Sequence, residues 1–417
     1  MDVGILIFAI IQLYKKRYQW VFASIFILAS GYLEINYGDG GTSFILFKHQ
    51  ISDTGLFLYS IIFIYSVVKY GLPRLTPLHK VILFFYTFII VNSVIDVMNG
   101  VSLVDVLKYS RGWIYLSVVW ISPNIYRRHL KGTLRILFGV ILILTVLIII
   151  QNITGNYWLA RPISGDRGIK PSFYVMLFIP LLWFDVLKYK ILLKWLFISM
   201  LLLSVIMNLK QTYILTILAT FIVYLVTFKR ENITYLIKYG IAVVFSSVIL
   251  FVANDRLRER ILESSTAVEN VKDEISGNTF SFRLLHTVER FNYIVKEPLS
   301  IIRGIGFVHE ENYKAKVFEI GLIDRDTQDI IQLDTGDIAW SIFFTRFGLL
   351  GTLIFLVLYV YIIRQLYIKA AVSHISSIFF AFLTACLFVT SLGNAVVAYS
   401  YFYLIPLMVI NSIRFRT

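Results

Sequence analysis

Three basic side chains at helical spacing suggest an anion-binding surface in this 417-residue sequence. Arg283, His286 and Arg290 stand at positions i, i+3 and i+7 of an amphipathic segment that ends before Pro298, so a helix would carry them on one face. Two guanidiniums and an imidazole can together bind an anion, because arginine presents a planar fork of donors that matches phosphate oxygens. The alternative interpretation is a solvated face of a surface helix.

Two carboxylates, Asp334 and Asp337, stand directly before an apolar stretch. An acid at the entrance to a helix can serve as a general base when it reaches the proton that it removes. Aspartate is also a preferred helix N-cap, so each residue of the pair can fill one of the two roles. Thr335 and Gly336 between them allow a tight turn.

Further cationic candidates lie in two connecting segments. Arg161 and Arg167 belong to the segment 157–172, and Lys210 belongs to the short segment 208–212 between two apolar runs. If the two flanking runs cross a membrane, a lysine in so short a turn lies close to the hydrocarbon core. Ionisable groups there are costly and often functional. Anchoring at the membrane interface is the alternative interpretation for Lys210.

Motifs for metals and dinucleotides are incomplete. Asp324 and Asp326 form an acidic pair, but the glycine and closing glutamate of a calcium loop do not follow, so we predict a solvated loop. The stretch 303–306 reads Arg-Gly-Ile-Gly without a third glycine, which predicts a tight turn. The single cysteine, Cys386, stands in an apolar run and is predicted to pack there. We expect no metal and no cofactor.

The composition indicates a membrane protein. Hydrophobic residues make up 58% and charged residues 15% of the chain, and the mean hydropathy is +0.77. A cytosolic enzyme, a disordered chain and a secreted disulfide scaffold are excluded, since soluble domains carry about 25% charged residues. Residues 253–337 hold 16 of the 25 acidic residues and 11 of the 39 basic residues, so the rest of the chain has a net charge of +19. A basic, apolar body suits anionic lipid headgroups, and nothing indicates nucleic acid.

The apolar runs and their flanking charges predict a topology. A helix needs about 20 apolar residues to cross the hydrocarbon core. The runs lie near 2–14, 19–35, 54–70, 79–98, 104–123, 133–151, 170–187, 191–207, 211–228, 233–252, 341–363, 374–390 and 395–412. Outside the long loop and its flank, 20 basic residues fall on one side and 7 on the other, and the basic side is the cytoplasm.

We therefore predict an all-α polytopic membrane protein with about 13 transmembrane helices. Residues 1–252 would form helices one to ten, and residues 338–417 would form helices eleven to thirteen. Between them, residues 253–337 would form one large extracytoplasmic loop that contains the amphipathic helix.

Several short motifs on the predicted outer side occur in a recognisable order. They are Arg161-Pro-Ile-Ser-Gly165, Asn208-Leu-Lys210-Gln-Thr212, Arg283, Pro298-Leu299, Gly304-Ile-Gly306, Asp337 and Arg346-Phe-Gly348-Leu-Leu-Gly351. In order, spacing and topology the chain resembles the bacterial O-antigen polymerase and O-antigen ligase families of membrane glycosyltransferases. The ligase branch commonly has histidine where this chain has Asp337, which favours the polymerase branch. Lys210 stands where the family has arginine, so charge is kept but bidentate geometry is lost.

The resemblance implies a polysaccharide polymerase of the bacterial inner membrane, with its active site on the periplasmic face. It would transfer a glycan from a polyprenyl diphosphate to a hydroxyl of another lipid-linked repeat unit, with inversion and without a metal. Asp337 or Asp334 would be the base. The residues predicted to bind diphosphate or glycan are Lys210, Arg283, Arg161, Arg167, His286 and Arg290. Membrane lipids and a regulator of chain length are the further partners that this assignment implies.

Three other functions stay open at this point. An O-antigen ligase would transfer the glycan to a lipid A core. A flippase for lipid-linked oligosaccharides or a solute transporter would place ionisable residues inside the bundle and often shows a repeat of two halves. No internal repeat is visible, and Asp96 and Arg346 stand toward the ends of their runs. A non-enzymatic scaffold for polysaccharide export is the third alternative.

Overall fold

The chain is mainly helical in the part that the structure, a computed structural model, describes. That part comprises residues 2–30, 51–154, 173–207, 211–229, 280–321, 329–333, 338–390 and 396–413. The α-helices in it are α1 (Asp2–Tyr14), α2 (Tyr18–Ala29), α3 (Ile51–Tyr70), α4 (Pro77–Met98), α5 (Leu103–Ser110), α6 (Pro123–Tyr126), α7 (Leu130–Thr154), α8 (Tyr174–Trp183), α9 (Ile191–Met207), α10 (Gln211–Phe228), α11 (Phe280–Lys296), α12 (Pro298–Arg303), α13 (Ala339–Ala370), α14 (His374–Thr390) and α15 (Leu404–Ser412). Stretches of 3₁₀ helix occupy Arg111–Trp120, Glu310–Asn312, Val396–Ala398 and Ser400–Tyr403.

Three of the described helices are long and apolar enough to cross a membrane. They are α4, the Leu130–Gln151 part of α7, and α13. A helix of 22 residues is about 33 Å long, which exceeds the roughly 30 Å thickness of the hydrocarbon core. The prediction of an all-α fold with apolar helices of membrane-spanning length is confirmed for the described residues, and the count of about 13 transmembrane helices stays a prediction.

The other predicted runs are helical where they are described, but their helices are shorter. The run 233–252 lies outside the described residues. Helix α8 has only ten residues, or about 15 Å, and nearly every one of them is buried. The run 104–123 is α5 followed directly by the 3₁₀ helix Arg111–Trp120. The apolar run 170–187 therefore overstates the length of α8, since a fully buried short helix is as apolar as a membrane span, whereas α9, α10 and α14 have the lengths of their runs.

Helix α4 has clear start and stop signals. Pro77 occupies its first turn, where a missing N–H is harmless. The amide of Thr76 donates to Nδ1 of His79 at 3.0 Å, and Nε2 of the same ring donates to the carbonyl of Val119 at 3.0 Å. The helix ends at Met98 with Asn99 as its C-cap, and Gly100 follows with φ +86°. His79 thus caps α4 and ties it to the neighbouring 3₁₀ helix.

Aromatic side chains fill the space between α4, α13 and the 3₁₀ helices. The rings of Phe343 and Phe355 stack at 4.2 Å on α13, and Trp113 meets Phe355 edge-on at 5.6 Å. Phe85 of α4 contacts the same indole at 5.2 Å, and Tyr403 lies 6.5 Å from it. Offset and edge-to-face pairs of this kind add stability beyond the area that they bury. They fix α4 and α13 side by side.

Helix α13 is broken at Gly348, where the segment after α12 crosses it. Gly348 has φ +65° and Gly304 has φ +69°, a region that favours glycine. A Cβ on Gly348 would meet the carbonyl oxygen of Ser300 at 2.7 Å and the amide of Arg303 at 2.8 Å. The amide of Ile305 donates to the carbonyl of Thr345 at 2.7 Å. The tight turn predicted at 303–306 is confirmed, and it docks directly on the break in α13.

Because the backbone at Gly304 lies so close to that of Thr345 and Gly348, one added methyl group is expected to lower the stability of the fold. Gly304→Ala places a Cβ against the backbone of Thr345 and Gly348 at a positive φ, and we expect a loss of about 1–3 kcal/mol of stability. Thermal unfolding of the purified protein in detergent measures this loss. The control is Gly139→Ala in α7, where a Cβ meets nothing within 4 Å and a helical alanine is favourable. Equal melting temperatures for the two variants would contradict the docking.

Candidate functional site

A buried ion pair fastens the segment after α12 to the end of α4. Asp96 has no exposed surface, and its carboxylate accepts hydrogen bonds from the guanidinium of Arg303 and from the amide of Phe307, the latter at 2.8 Å. A Cβ on Gly306 would overlap this carboxylate, so glycine is required where the turn covers it. Breaking a buried pair by removing one partner is costly, because the other charge stays uncompensated. The turn is therefore held at the end of α4.

A second buried arginine holds the same segment from α13. Arg346 donates to the carbonyl of Val308 and, at 3.4 Å, to that of Gly306. Its guanidinium lies 3.9 Å from the centre of the Tyr109 ring. Asn312 further along donates to the carboxylate of Asp105 in α5. Residues 303–312 are thus bound to α4, α5 and α13 at one level of the bundle.

Arg290, one of the predicted anion-binding residues, lies inside the folded segment. Its side chain has no exposed surface and pairs with Glu289 at 2.5 Å. It donates to the carbonyls of Ile320 and, at 3.2 Å, of Gln332, and its guanidinium lies 4.2 Å from the Phe318 ring centre. Burial lowers the pKa of Arg290 to about 10, while the charge of Glu289 opposes this shift. Arg290 therefore remains a cation and joins α11 to Phe318, Ile320 and Gln332.

Two glutamates organise the loops on the other side of Arg290. Glu289 accepts hydrogen bonds from the amides of Glu319 at 2.7 Å and Ile320 at 3.2 Å. Glu310 accepts from the amides of Gln332 and Leu333, both at 2.6 Å. Carboxylates that bind backbone amides substitute for a sheet or helix ladder where none is present. These loops are consequently ordered by side chains.

His286 joins α11 to the first turn of α13. Its side chain is 1% exposed, and Nδ1 shares a hydrogen bond of 2.8 Å with Oγ of Ser341. Nε2 is buried, and it has no hydrogen-bond partner among the residues that the structure describes. Burial, and then the nearby charge of Arg290, lower the pKa of His286 to about 3. The imidazole is therefore neutral at physiological pH.

The structure brings some predicted site residues together and leaves others undescribed. Arg283, His286 and Arg290 lie on α11 as predicted, but only Arg283 is partly exposed. The proposed anion-binding role of the other two stays a prediction, and both side chains contact protein groups. The remaining candidates, which are Arg161, Arg167, Lys210, Asp334 and Asp337, lie outside the described residues.

Sequence reasoning missed three residues that build this region. The sequence shows Asp96 as a charge near the end of a run, Arg346 as a charge near a run end and the start of a family motif, and Ser341 as part of an apolar run, and it assigns none of them a partner. A signal for the first two existed, because ionisable residues within membrane helices are rare and usually paired. Their partners were not readable, since Asp96 and Arg303 are 207 positions apart.

Acidic pairs in this region do not build a metal site in the described part of the chain. There, no group of three or more histidine, cysteine, aspartate or glutamate side chains could hold an ion. Asp329 of the predicted solvated loop forms an exposed pair with Lys316 at 2.6 Å. Cys386 is free and buried in α14, as predicted.

No protein-family model matches the chain, and no curated protein is detectably similar to it. A functional hypothesis must therefore depend on the geometry of this region and on the sequence motifs.

The Asp96–Arg303 pair provides a stability test. We expect Asp96→Leu or Arg303→Met alone to cost about 3–5 kcal/mol, because each leaves a buried charge unpaired. The double variant should lose less than the sum of the two, since no charge remains. Thermal or denaturant unfolding of the four proteins measures the coupling.

A matched control for this cycle is the exposed pair Lys316–Asp329. Its side chains are 74% and 57% exposed, so Lys316→Ala should cost at most about 1 kcal/mol. Strict additivity of the Asp96 and Arg303 losses would contradict a direct pair.

The lowered pKa of His286 predicts how the stability of the protein depends on pH. Its pKa is about 3 in the folded protein against 6.5 ordinarily, so unfolded chains take up the proton first as the pH falls. Its contribution to stability is complete above about pH 6.5 and is lost toward pH 3, by up to roughly 1.4 kcal/mol per pH unit. His286→Asn should flatten the fall of the melting temperature across this range, because asparagine does not titrate there. Parallel curves for wild type and His286→Asn would contradict the assignment.

Proposed function

We propose that this protein is a polysaccharide polymerase that lengthens a glycan carried on a polyprenyl diphosphate. The observation that carries the proposal is the hydrogen bond between His286 and Ser341. It joins the helix that bears Arg283 to the first turn of α13. In the sequence Asp337 stands four positions before Ser341, so the candidate base is close in sequence to a residue that contacts the helix bearing the candidate cation.

Electrostatics favour Arg283 as the cation for the substrate. Arg290 on the same helix is fully buried and already paired with Glu289, whereas Arg283 is partly exposed. A neutral His286 between them adds no repulsion toward a second positive charge. We assign Arg283, with Lys210, Arg161 and Arg167, to the diphosphate and sugar of the donor, and we assign His286 and Arg290 to holding Arg283 in position.

The reaction that these groups can promote is an inverting displacement. The hydroxyl oxygen of the acceptor sugar attacks the anomeric carbon of the donor, and its proton moves to the carboxylate of Asp337 or Asp334. The bond from the anomeric carbon to the diphosphate breaks, and its electron pair leaves with the polyprenyl diphosphate. Cations placed where this charge develops are each worth about 2.7–4 kcal/mol in a dry site.

We further propose the 13-helix topology in a bacterial inner membrane. Helix α5 and the 3₁₀ helix Arg111–Trp120 together measure about 32 Å, from rises of about 1.5 and 2.0 Å per residue, which is enough for one crossing. Lys80 near the start of α4 and Arg364 near the end of α13 both point to the end opposite Asp96 as cytoplasmic. The region around Arg303 then faces the periplasm.

The proposal is tested with purified protein in proteoliposomes supplied with a polyprenyl-diphosphate-linked repeat unit and no ion gradient. Wild type should form polymer, and Arg283→Ala or Asp337→Ala should abolish it at unchanged protein level. Arg283→Lys should restore part of the activity, because charge returns without the bidentate fork. Lys296→Ala, at an exposed position on the same helix, is the matched control and should retain full activity.

The outcomes separate the alternatives. Full-length glycan from both alanine variants would overturn the site. Movement of the lipid-linked unit across the bilayer without polymer would indicate a flippase, and transfer only when lipid A core is added would indicate a ligase.

A further inference from the structure

The outward face of α11 and α12 is apolar. Six large side chains repeat along it at helical spacing and are 40–61% exposed, namely Leu284, Val288, Phe291, Val295, Leu299 and Ile302. The stripe continues across the break at Pro298. In water, exposed patches of this kind are uncommon on a soluble surface and mark a contact with another apolar medium.

The opposite face of α11 is buried and partly charged. Phe282, His286, Arg290 and Ile294 are each at most 5% exposed. The hydrogen bonds of His286 and Arg290 to Ser341, Ile320 and Gln332 prevent the helix from rolling its apolar side inward. The orientation is therefore fixed by polar contacts, and the apolar stripe is left on the outside.

The lengths of two helices indicate how deep this stripe lies relative to the hydrocarbon core. Residues 349–370 of α13, beyond the break at Gly348, comprise 22 residues or about 33 Å, and α4 has the same length. Each is just sufficient to cross a hydrocarbon core of roughly 30 Å. Gly348 and Asp96, near the ends of these two spans, both contact the Gly304–Phe307 turn. Helix α12 leads into this turn, so it lies at the boundary of the core.

The stripe is also continuous with the exposed apolar side of α13. The rings of Phe291 and Phe344 are in contact at 5.5 Å. Beyond the break, Leu350, Leu353 and Val357 of α13 are 43–59% exposed within a helix long and apolar enough to span a membrane. A single apolar surface therefore extends from the span onto α12 and α11.

We propose that α11 and α12 lie in the membrane interface with this stripe, as defined by the six residues above, inserted among the acyl chains of the adjacent leaflet. Lys296 is exposed at the end of α11, next to the stripe, and its ammonium group can reach lipid headgroups. An amphipathic helix with this distribution binds in the plane of the interface. Lipid then contacts the outward face of α11, while Arg290 and His286 bind the opposite face to the protein. This inference does not depend on the reaction that the protein performs.

Site-directed spin labelling of the full chain in vesicles of phosphatidylethanolamine and phosphatidylglycerol tests the proposal. Single cysteines are introduced by Val288→Cys and Val295→Cys in the stripe, Val357→Cys as a membrane reference and Lys316→Cys as a water reference. The native Cys386 is fully buried, and the labelled parent protein measures its background. Collision rates with dissolved oxygen and with a water-soluble nickel chelate are compared at each site.

Labels at the two stripe positions should show oxygen accessibility above nickel accessibility, as the Val357 label does, but with a smaller ratio because they lie nearer the membrane surface, and the Lys316 label should show the inverse ratio. Nickel accessibility at 288 and 295 equal to that at 316 would overturn the proposal, because the stripe would face water. Exclusion of both reagents there would overturn it as well, since protein rather than lipid would cover the stripe.

Discussion

A buried carboxylate at the end of a membrane-length helix is the interaction on which the rest of this structure depends. Asp96 has no exposed surface and is bonded to the Arg303 guanidinium and the Phe307 amide. An ionised group in so apolar a place is stable only while its partners stay, because desolvation costs several kcal/mol per ion. The charge therefore specifies which segment covers the end of α4, and it does so across 207 positions of sequence.

Glycine makes this contact geometrically possible. Gly304 and Gly306 let the backbone of the turn reach Thr345 and the Asp96 carboxylate, and Gly348 opens α13 at the point of contact. Arg346, on the turn of α13 before the break, then binds the carbonyls that follow the turn. Two arginines and three glycines thus connect α4 and α13 to the segment that follows α12. Because α11 leads directly into α12, these contacts also help to position α11.

The orientation of α11 illustrates how local pattern and tertiary context diverge. Its apolar periodicity predicted a helix over the right residues, because spacing near 3.6 is a property of the chain itself. Periodicity does not say which face meets protein and which meets lipid, since both media are apolar. Here Arg290 and His286 find partners inside, so the charged face is buried and the stripe of Leu284, Val288 and Phe291 is left outside.

The sequence by itself determined the class of the protein. The 58% of hydrophobic residues indicated long apolar helices, the Arg-Gly-Ile-Gly stretch indicated a turn, and Pro298 indicated the end of the amphipathic helix. These features follow from composition, backbone freedom and short-range spacing. Only the tertiary structure decided that Arg290 is an internal cation, that Asp96 pairs with Arg303, and that α8 is a short buried helix. These three features depend on contacts between residues far apart in the chain and on whether protein or lipid surrounds a side chain. A local sequence pattern carries no information about either.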